Sequence, residues 1–292
     1  MDITIGTAPV NWNNEDVPDY RPWTPYERML DEMVEAGYGA TEFSSHFPAD
    51  PAQAKRDLSA RGLAPASTFL GLNLRDAGML PMEAARAEER AGYLRALGGD
   101  ALIIADSGDE RRRASGGHVS AADGLDDGAW QNLVGGLEAV ADRCAHQGVR
   151  IVFHNHVGTY VETESELSRL LDMTDPARVG LCLDVGHLLY GGGDVGRVME
   201  RYGERVRYVH LKDVDLEVLD RCRREKLGFH DALRLGIFTE FGTGGMDFRR
   251  FFAALEARDY AGWVIVEQDT TRKTPLESAR INREYLRRTF GI

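Results

Sequence analysis

Histidines and carboxylates recur where short β-rich apolar runs end, and together they are the donor types of a divalent-metal site. One run leads into His154-Asn155-His156, with Glu162 and Glu164 soon after. The next, VGLCLD, ends at Asp184, and His187 follows within one helical turn. VRYVHLKD ends at His210, Lys212 and Asp213, and WVIVE ends at Glu267, with Asp269 just beyond. Earlier in the chain, Asn11 and Trp12 follow the first run, and Glu42 stands near the end of the second.

Each of these residues has an ordinary structural reading. A single histidine at a strand end is often a satisfied structural side chain, Asp184 is placed to cap a following helix, and Trp12 suits a core as well as a stacking surface. The run of cases argues for more. A strand buried on both faces is expected to be continuously apolar, so an ionisable residue at its exit needs a reason. Four successive exits carry one. If they converge, their carboxylates repel, and a bound divalent cation resolves the repulsion. Oxygen and imidazole donors suit Mn²⁺ or Co²⁺, with Mg²⁺ or Zn²⁺ also compatible, and the lack of clustered thiolates speaks against a structural zinc site.

The elements that must position these groups alternate regularly. Strands are expected at Ile3–Thr7, Ala40–Phe43, Pro65–Phe69, Ala101–Ala105, Arg150–His154, Val179–Leu183, Val206–His210 and Trp263–Glu267. Helical patterns lie between them. Met29, Leu30, Met33 and Val34 form one face of a helix over Pro25–Ala36. Pro51–Arg61, Pro81–Leu97 and Asp127–Gln147 each stop before a glycine, at 62, 98 and 148. Thr163 and Glu166 make a capping box, and Asp194–Tyr202, Asp247–Ala257 and Pro275–Phe290 complete the series. Eight strand–helix units favour a single-domain (β/α)₈ TIM barrel over residues 1–292, although an open doubly wound sheet has the same local pattern. Two segments are too long for ordinary connections, 106–128 and 213–235, and both follow strands, so they belong at the C-terminal mouth of a barrel.

The bulk properties narrow the partners. The net charge of −12 argues against nucleic acid. The one basic cluster, Arg111-Arg112-Arg113, is expected to be a solvated loop. No stretch approaches the ~18 apolar residues of a membrane span, and three scattered cysteines with no C-x-x-C suit a reduced, cytoplasmic protein. The expected partner is a small molecule.

Several motifs resemble a known group. VGLCLDVGH (179–187), RVRYVHLKDV (205–214), GTGGMDF (242–248) and WVIVEQD (263–269) are similar to the xylose-isomerase-like superfamily of sugar isomerases and epimerases, in the same order and over nearly the whole chain. IGTAPVNW (5–12), EAGYGATEF (35–43) and FHNHVGTYVET (153–163) most resemble its inosose (2-keto-myo-inositol) dehydratases, enzymes of inositol catabolism. The resemblance implies a TIM barrel with one divalent metal, often Mn²⁺ or Co²⁺, and a polyol or keto-sugar substrate. Homo-oligomers are common among such proteins.

By position, the resemblance makes Asp184, His210 and Glu267 metal ligands. The fourth is open between two places. Many relatives carry a glutamate where this chain has His154, whereas dehydratase-like members place one a few residues later, at Glu162 here. Glu162 is the favoured reading, with His154 and His156 contacting substrate alongside Asn11, Trp12 and Glu42. The implied chemistry removes a proton next to a ketone. Glu162 or Glu267 is the expected base, or a histidine, and His156, His187 or Lys212 supplies the acid for loss of a β-hydroxyl. An isomerase or epimerase of ketoses would use nearly the same residues. A three-metal endonuclease of this fold fits the acidic chain poorly, and a non-catalytic binding protein would not need so many proton-transfer groups at one mouth.

Overall fold

Burial on both faces makes the strand runs almost wholly apolar, and here they close on themselves. The structure is a computed structural model and describes residues 2–292. Its strands are β1 (Asp2–Thr7), β2 (Ala40–Phe43), β3 (Ala64–Leu72), β4 (Ala101–Asp106), β5 (Arg150–His154), β6 (Val179–Asp184), β7 (Val206–Leu211), β8 (Asp213–Val214), β9 (Phe238–Thr239) and β10 (Ala261–Val266). The parallel order β1-β10-β7-β6-β5-β4-β3-β2 is a closed barrel, which removes the open-sheet alternative.

Register carries the inward-facing side chains from strand to strand. His154 of β5 pairs with Cys182, Asp184 of β6 pairs with His210, and His210 of β7 pairs with Ile265. Below them Ala101, Ile103, Val152, Cys182, Tyr208 and Ile265 fill the barrel interior. The larger apolar layer lies outside the strands, where Leu30, Leu94, Leu137, Leu170 and Phe251 from the surrounding helices pack. The barrel is therefore a filled cylinder whose polar residues collect at one end.

Local signals in the sequence explain the helix limits. Helices run over Tyr26–Glu35, Pro51–Ala60, Leu80–Leu97, Asp127–Ala145 and Pro275–Phe290. The Thr163/Glu166 capping box is formed, with Thr163 Oγ1 accepting from the Glu166 amide and the Glu166 carboxylate accepting from the Thr163 amide at 2.9 Å.

The two long segments acquire structure. Residues 106–128 hold a short helix, Glu110–Ser115. Residues 213–235 hold helices Leu216–Glu225 and Phe229–Leu235, and the antiparallel pair β8–β9 ties the insertion down. Beneath it Val157, Tyr190, Phe229 and Phe238 form a second apolar cluster. Among the described residues no helix is long and apolar enough to cross a membrane.

One residue of the basic cluster departs from the solvated-loop expectation, while Arg111 stays exposed. Arg112 is fully buried, with its guanidinium bonded to both carboxylate oxygens of Glu166 at 2.9 and 3.0 Å and its charge 5.1 Å from the Tyr160 ring. A planar fork facing a carboxylate and an aromatic face offsets part of its lost hydration, which charge counting along the sequence does not reveal.

Candidate metal centre

Four strand ends bring His154, Asp184, His210 and Glu267 together. One donor atom from each lies within 4.8 Å of the others, and all four residues are buried. His154 Nε2 is 3.3 Å from Asp184 Oδ2, and His210 Nδ1 is 3.2 Å from Glu267 Oε2. No hydrogen bond is made at His210 Nδ1 or at His154 Nδ1, although both atoms are buried. Buried polar atoms of this kind are normally satisfied, and the orphaned His210 Nδ1 faces both Glu267 and Asp184 while His154 turns Nε2 to Asp184, an arrangement that fits a divalent cation. Two nitrogens and two oxygens form a borderline donor set suited to Mn²⁺, Co²⁺ or Zn²⁺.

Two of the four donors are held from behind. His210 Nε2 lies 2.8 Å from Glu42 Oε1, which also accepts from the Tyr208 hydroxyl at 2.8 Å. Asp184 Oδ1 accepts the His187 amide at 2.7 Å, capping helix Val185–Tyr190, while Oδ2 faces the cluster. The cap and the ligand readings of Asp184 thus hold for its two oxygens separately. Asn155 clamps the Asp184 backbone, donating to its carbonyl and accepting from its amide at 3.0 and 3.1 Å.

Lys212 stands in the centre of the charges. Its Nζ lies 2.6 Å from Glu267 Oε2, 3.1 Å from Asp184 Oδ2, 3.2 Å from Asp269 Oδ1 and 3.1 Å from His187 Nε2. Gly186 makes room for it, because a Cβ there would come within 2.3 Å of the Lys212 Cβ. Burial works against the ammonium, but Asp184, Asp269 and Glu267 outweigh it and raise its pKa well above the usual range. Burial would likewise raise the Asp184 carboxyl, and Lys212 and His154 hold it down at about 2. Burial pushes the Asp269 carboxyl up to about 7, with Glu267 and Asp184 adding to the shift against Lys212.

Burial, reinforced by His154 and Lys212, lowers His156 to about 3, and burial with neighbouring His156 and Lys212 holds His187 well below the usual histidine range. Both are neutral near pH 7, so neither stands ready as a proton donor. His156 Nδ1 lies 2.6 Å from the Val157 carbonyl, which accepts its proton and leaves Nε2 as an acceptor.

A cavity of about 360 Å³ opens over this cluster. His154, His156, His210, Lys212, Glu267 and Asp269 line it.

Four expected site residues lie elsewhere or serve otherwise. Glu162 does not join the four donors; its two oxygens accept the Gly117 and Gly158 amides, each at 2.7 Å, and Arg112 stands 3.8 Å away. Two backbone donors and a guanidinium hold the carboxylate in a separate nest, and His154 stands in the cluster instead. Asn11 spends its amide on Thr7, the Val266 carbonyl and the Gln268 amide, closing the seam between β1 and β10. Trp12 is a core residue, with its indole N–H bonded to Glu32 at 2.7 Å. Glu42 reaches the cavity wall, but its bonds identify it as the anchor of His210.

Asp269, Asn155 and Tyr208 had no assigned role. Asp269 carried a signal, the second carboxylate after β10. Asn155 and Tyr208 did not, since their partners come from other strands. Asp213, a third exit residue of β7, is structural. Its carboxylate accepts the amides of Gly242, Gly244 and Met246 and shapes the GTGGMDF loop.

Known proteins share this chain's features at two levels. The xylose isomerase-like TIM barrel family matches residues 30–289. An inosose dehydratase of Geobacillus kaustophilus is 39% identical over 97% of this chain and 94% of its own length. One from Lacticaseibacillus casei is 35% identical over 100% and 99%. Among solved structures, D-allulose 3-epimerase from Methylomonas sp. superposes with a TM-score of 0.72 at 20% identity, over 99% of this chain and 98% of that one, which shows the shared fold. The chain belongs to the xylose isomerase-like TIM barrel family, and within it groups with the inosose dehydratases.

Proposed function

We propose that this protein is a metal-dependent carbon–oxygen lyase that dehydrates a keto-cyclitol of the inosose type, in inositol catabolism in the cytoplasm. The observation that carries the reading is the convergence of His154, His210, Glu267 and Lys212 on one cavity, with Asp184 buried among them, in a chain that matches inosose dehydratases over nearly its whole length. A divalent cation held by the four donors would act as a Lewis acid toward the substrate ketone, Mn²⁺ or Co²⁺ being best suited.

The chain's own groups supply the proton traffic. Glu267, Asp269 and His156 Nε2 are the acceptors facing the cavity for the proton next to the ketone. Glu162, turned into its amide nest, is not among them. Lys212 remains an ammonium and is the group positioned to hydrogen-bond the departing β-hydroxyl and give it a proton. His187 sets the Lys212 ammonium from one side and Asp269 from the other.

The test is a proton NMR time course of the Mn²⁺-loaded protein with inosose in D₂O. The expected result is loss of substrate with appearance of the dehydrated dione. Deuterium uptake with no loss of water would instead establish an isomerase or epimerase.

A further inference from the structure

Phe69 is out of place for a barrel strand. Its register partner is Ile103, which pairs in turn with Val152, and both partners are buried in the barrel interior. Phe69 faces the same way yet is 43% exposed. Among the described residues it is the one exposed large apolar side chain that lines the cavity over the metal donors. The ring stands edge-on to His154, with centroids 5.7 Å apart and planes at 87°, and lies 6.2 Å from His156. Gly71, further along the strand and also lining the cavity, puts no side chain over it.

An aromatic side chain left open in a cavity beside carboxylates and imidazoles forgoes the stabilisation of burial unless a ligand covers it. The chemistry of that ligand follows from shape. A six-membered polyol ring with mostly equatorial hydroxyls directs them around its rim and presents axial C–H bonds on its faces. Such a ring offers metal donors an oxygen-rich edge and an aromatic plane an apolar face. An open-chain ketose has hydroxyls on both sides of its backbone and no flat face.

We propose that Phe69 is the specificity-determining platform of this site, covering one C–H face of a cyclic polyhydroxy ketone while its rim oxygens meet the metal donors and Lys212. The inference rests on the keto-cyclitol reading and makes ring shape, rather than hydroxyl count, the property selected.

The test uses Phe69→Leu, which keeps apolar bulk but removes the flat face, and Phe69→Tyr, which keeps it. Each Mn²⁺-loaded protein is assayed for inosose turnover, for binding of myo-inositol as an unreactive cyclic probe, and for competition by an open-chain ketose. In Phe69→Leu, KM for inosose and Kd for myo-inositol should rise about tenfold or more, with kcat and metal content little changed. The inhibition constant of the ketose should stay within about twofold, and Phe69→Tyr should behave like the parent protein. Unchanged inosose KM and myo-inositol Kd in Phe69→Leu, or an equal loss for the ketose, would overturn the proposal. If the parent protein fails to dehydrate inosose while myo-inositol binding still depends on Phe69, the platform stands and the dehydratase reading falls.

Discussion

His210 Nε2 lies 2.8 Å from Glu42 Oε1, an acceptor for the Nε2 proton, and Nδ1 is thereby turned toward Glu267 and Asp184. A carboxylate in this place would orient a histidine in the proposed metal site. Glu42→Gln keeps the size but weakens the acceptor. Metal affinity should fall about 10- to 100-fold, as titration with Mn²⁺ or Co²⁺ would show. Tyr208→Phe, which leaves the His210 contact in place, should change it far less.

Lys212 shares Asp184 Oδ2 and Glu267 Oε2 with the proposed metal pocket, so its charge would compete with a cation there while, on the proposed reading, supplying the acid. Lys212→Met should therefore separate two properties. Turnover should drop by about 10²- to 10⁴-fold, whereas Mn²⁺ should be retained or held more tightly. A parallel loss of both would mean that Lys212 acts chiefly as scaffolding.

Arg112 is buried against Glu166 and close to Glu162. Arg112→Leu leaves two carboxylates without their cation, and the expected loss is about 3–5 kcal/mol, read from the urea midpoint. Arg112→Lys should recover little, because an ammonium cannot match the two-oxygen contact.

Glu162 gives a pH signature distinct from the metal donors. Burial raises its pKa from 4.5 to about 7, so the folded state binds its proton more tightly than the unfolded chain does. The stability this group contributes is full below about pH 4.5 and is lost as the pH rises through about 7. Glu162→Gln should flatten that part of the stability profile, by about 1–3 kcal/mol between pH 5 and 7.5, in denaturation of the metal-free protein.

Trp12 distinguishes core from substrate contact. Trp12→Phe removes the bond to Glu32 and should lower Tm by a few degrees, about 1 kcal/mol, with KM for the substrate unchanged.

The barrel was legible because period and punctuation agreed along the chain. Apolar runs gave the strands, and Thr163 with Glu166, Gly62, Gly98 and Gly148 marked helix ends through local backbone chemistry. Asp184, His210 and Glu267 were legible for a similar reason, since an ionisable residue at a buried strand exit stands out. The choice between His154 and Glu162 was not, because it depends on where the Gly117 and Gly158 amides point, and Gly117 comes from a distant segment. Asn11 and Trp12 misled in the same way. Their positions after β1 suit a mouth, but Gln268 and Glu32 claim their polar atoms. Arg112 hid in a charged run because its partner, Glu166, lies on another helix. What sequence spacing conveys is which residues reach an end of the barrel; what it omits is which competing donor each side chain meets there.

The central claim is that two imidazoles and two carboxylates hold the metal, with His154 as the fourth donor in place of Glu162. Pulsed electron paramagnetic resonance of the Mn²⁺-loaded protein, labelled with ¹⁵N-histidine, counts the coordinated imidazole nitrogens without altering any residue. The account predicts hyperfine coupling to two histidine nitrogens, with one lost in His154→Gln. Coupling to a single histidine, unchanged in His154→Gln, would contradict it and restore Glu162 as the ligand.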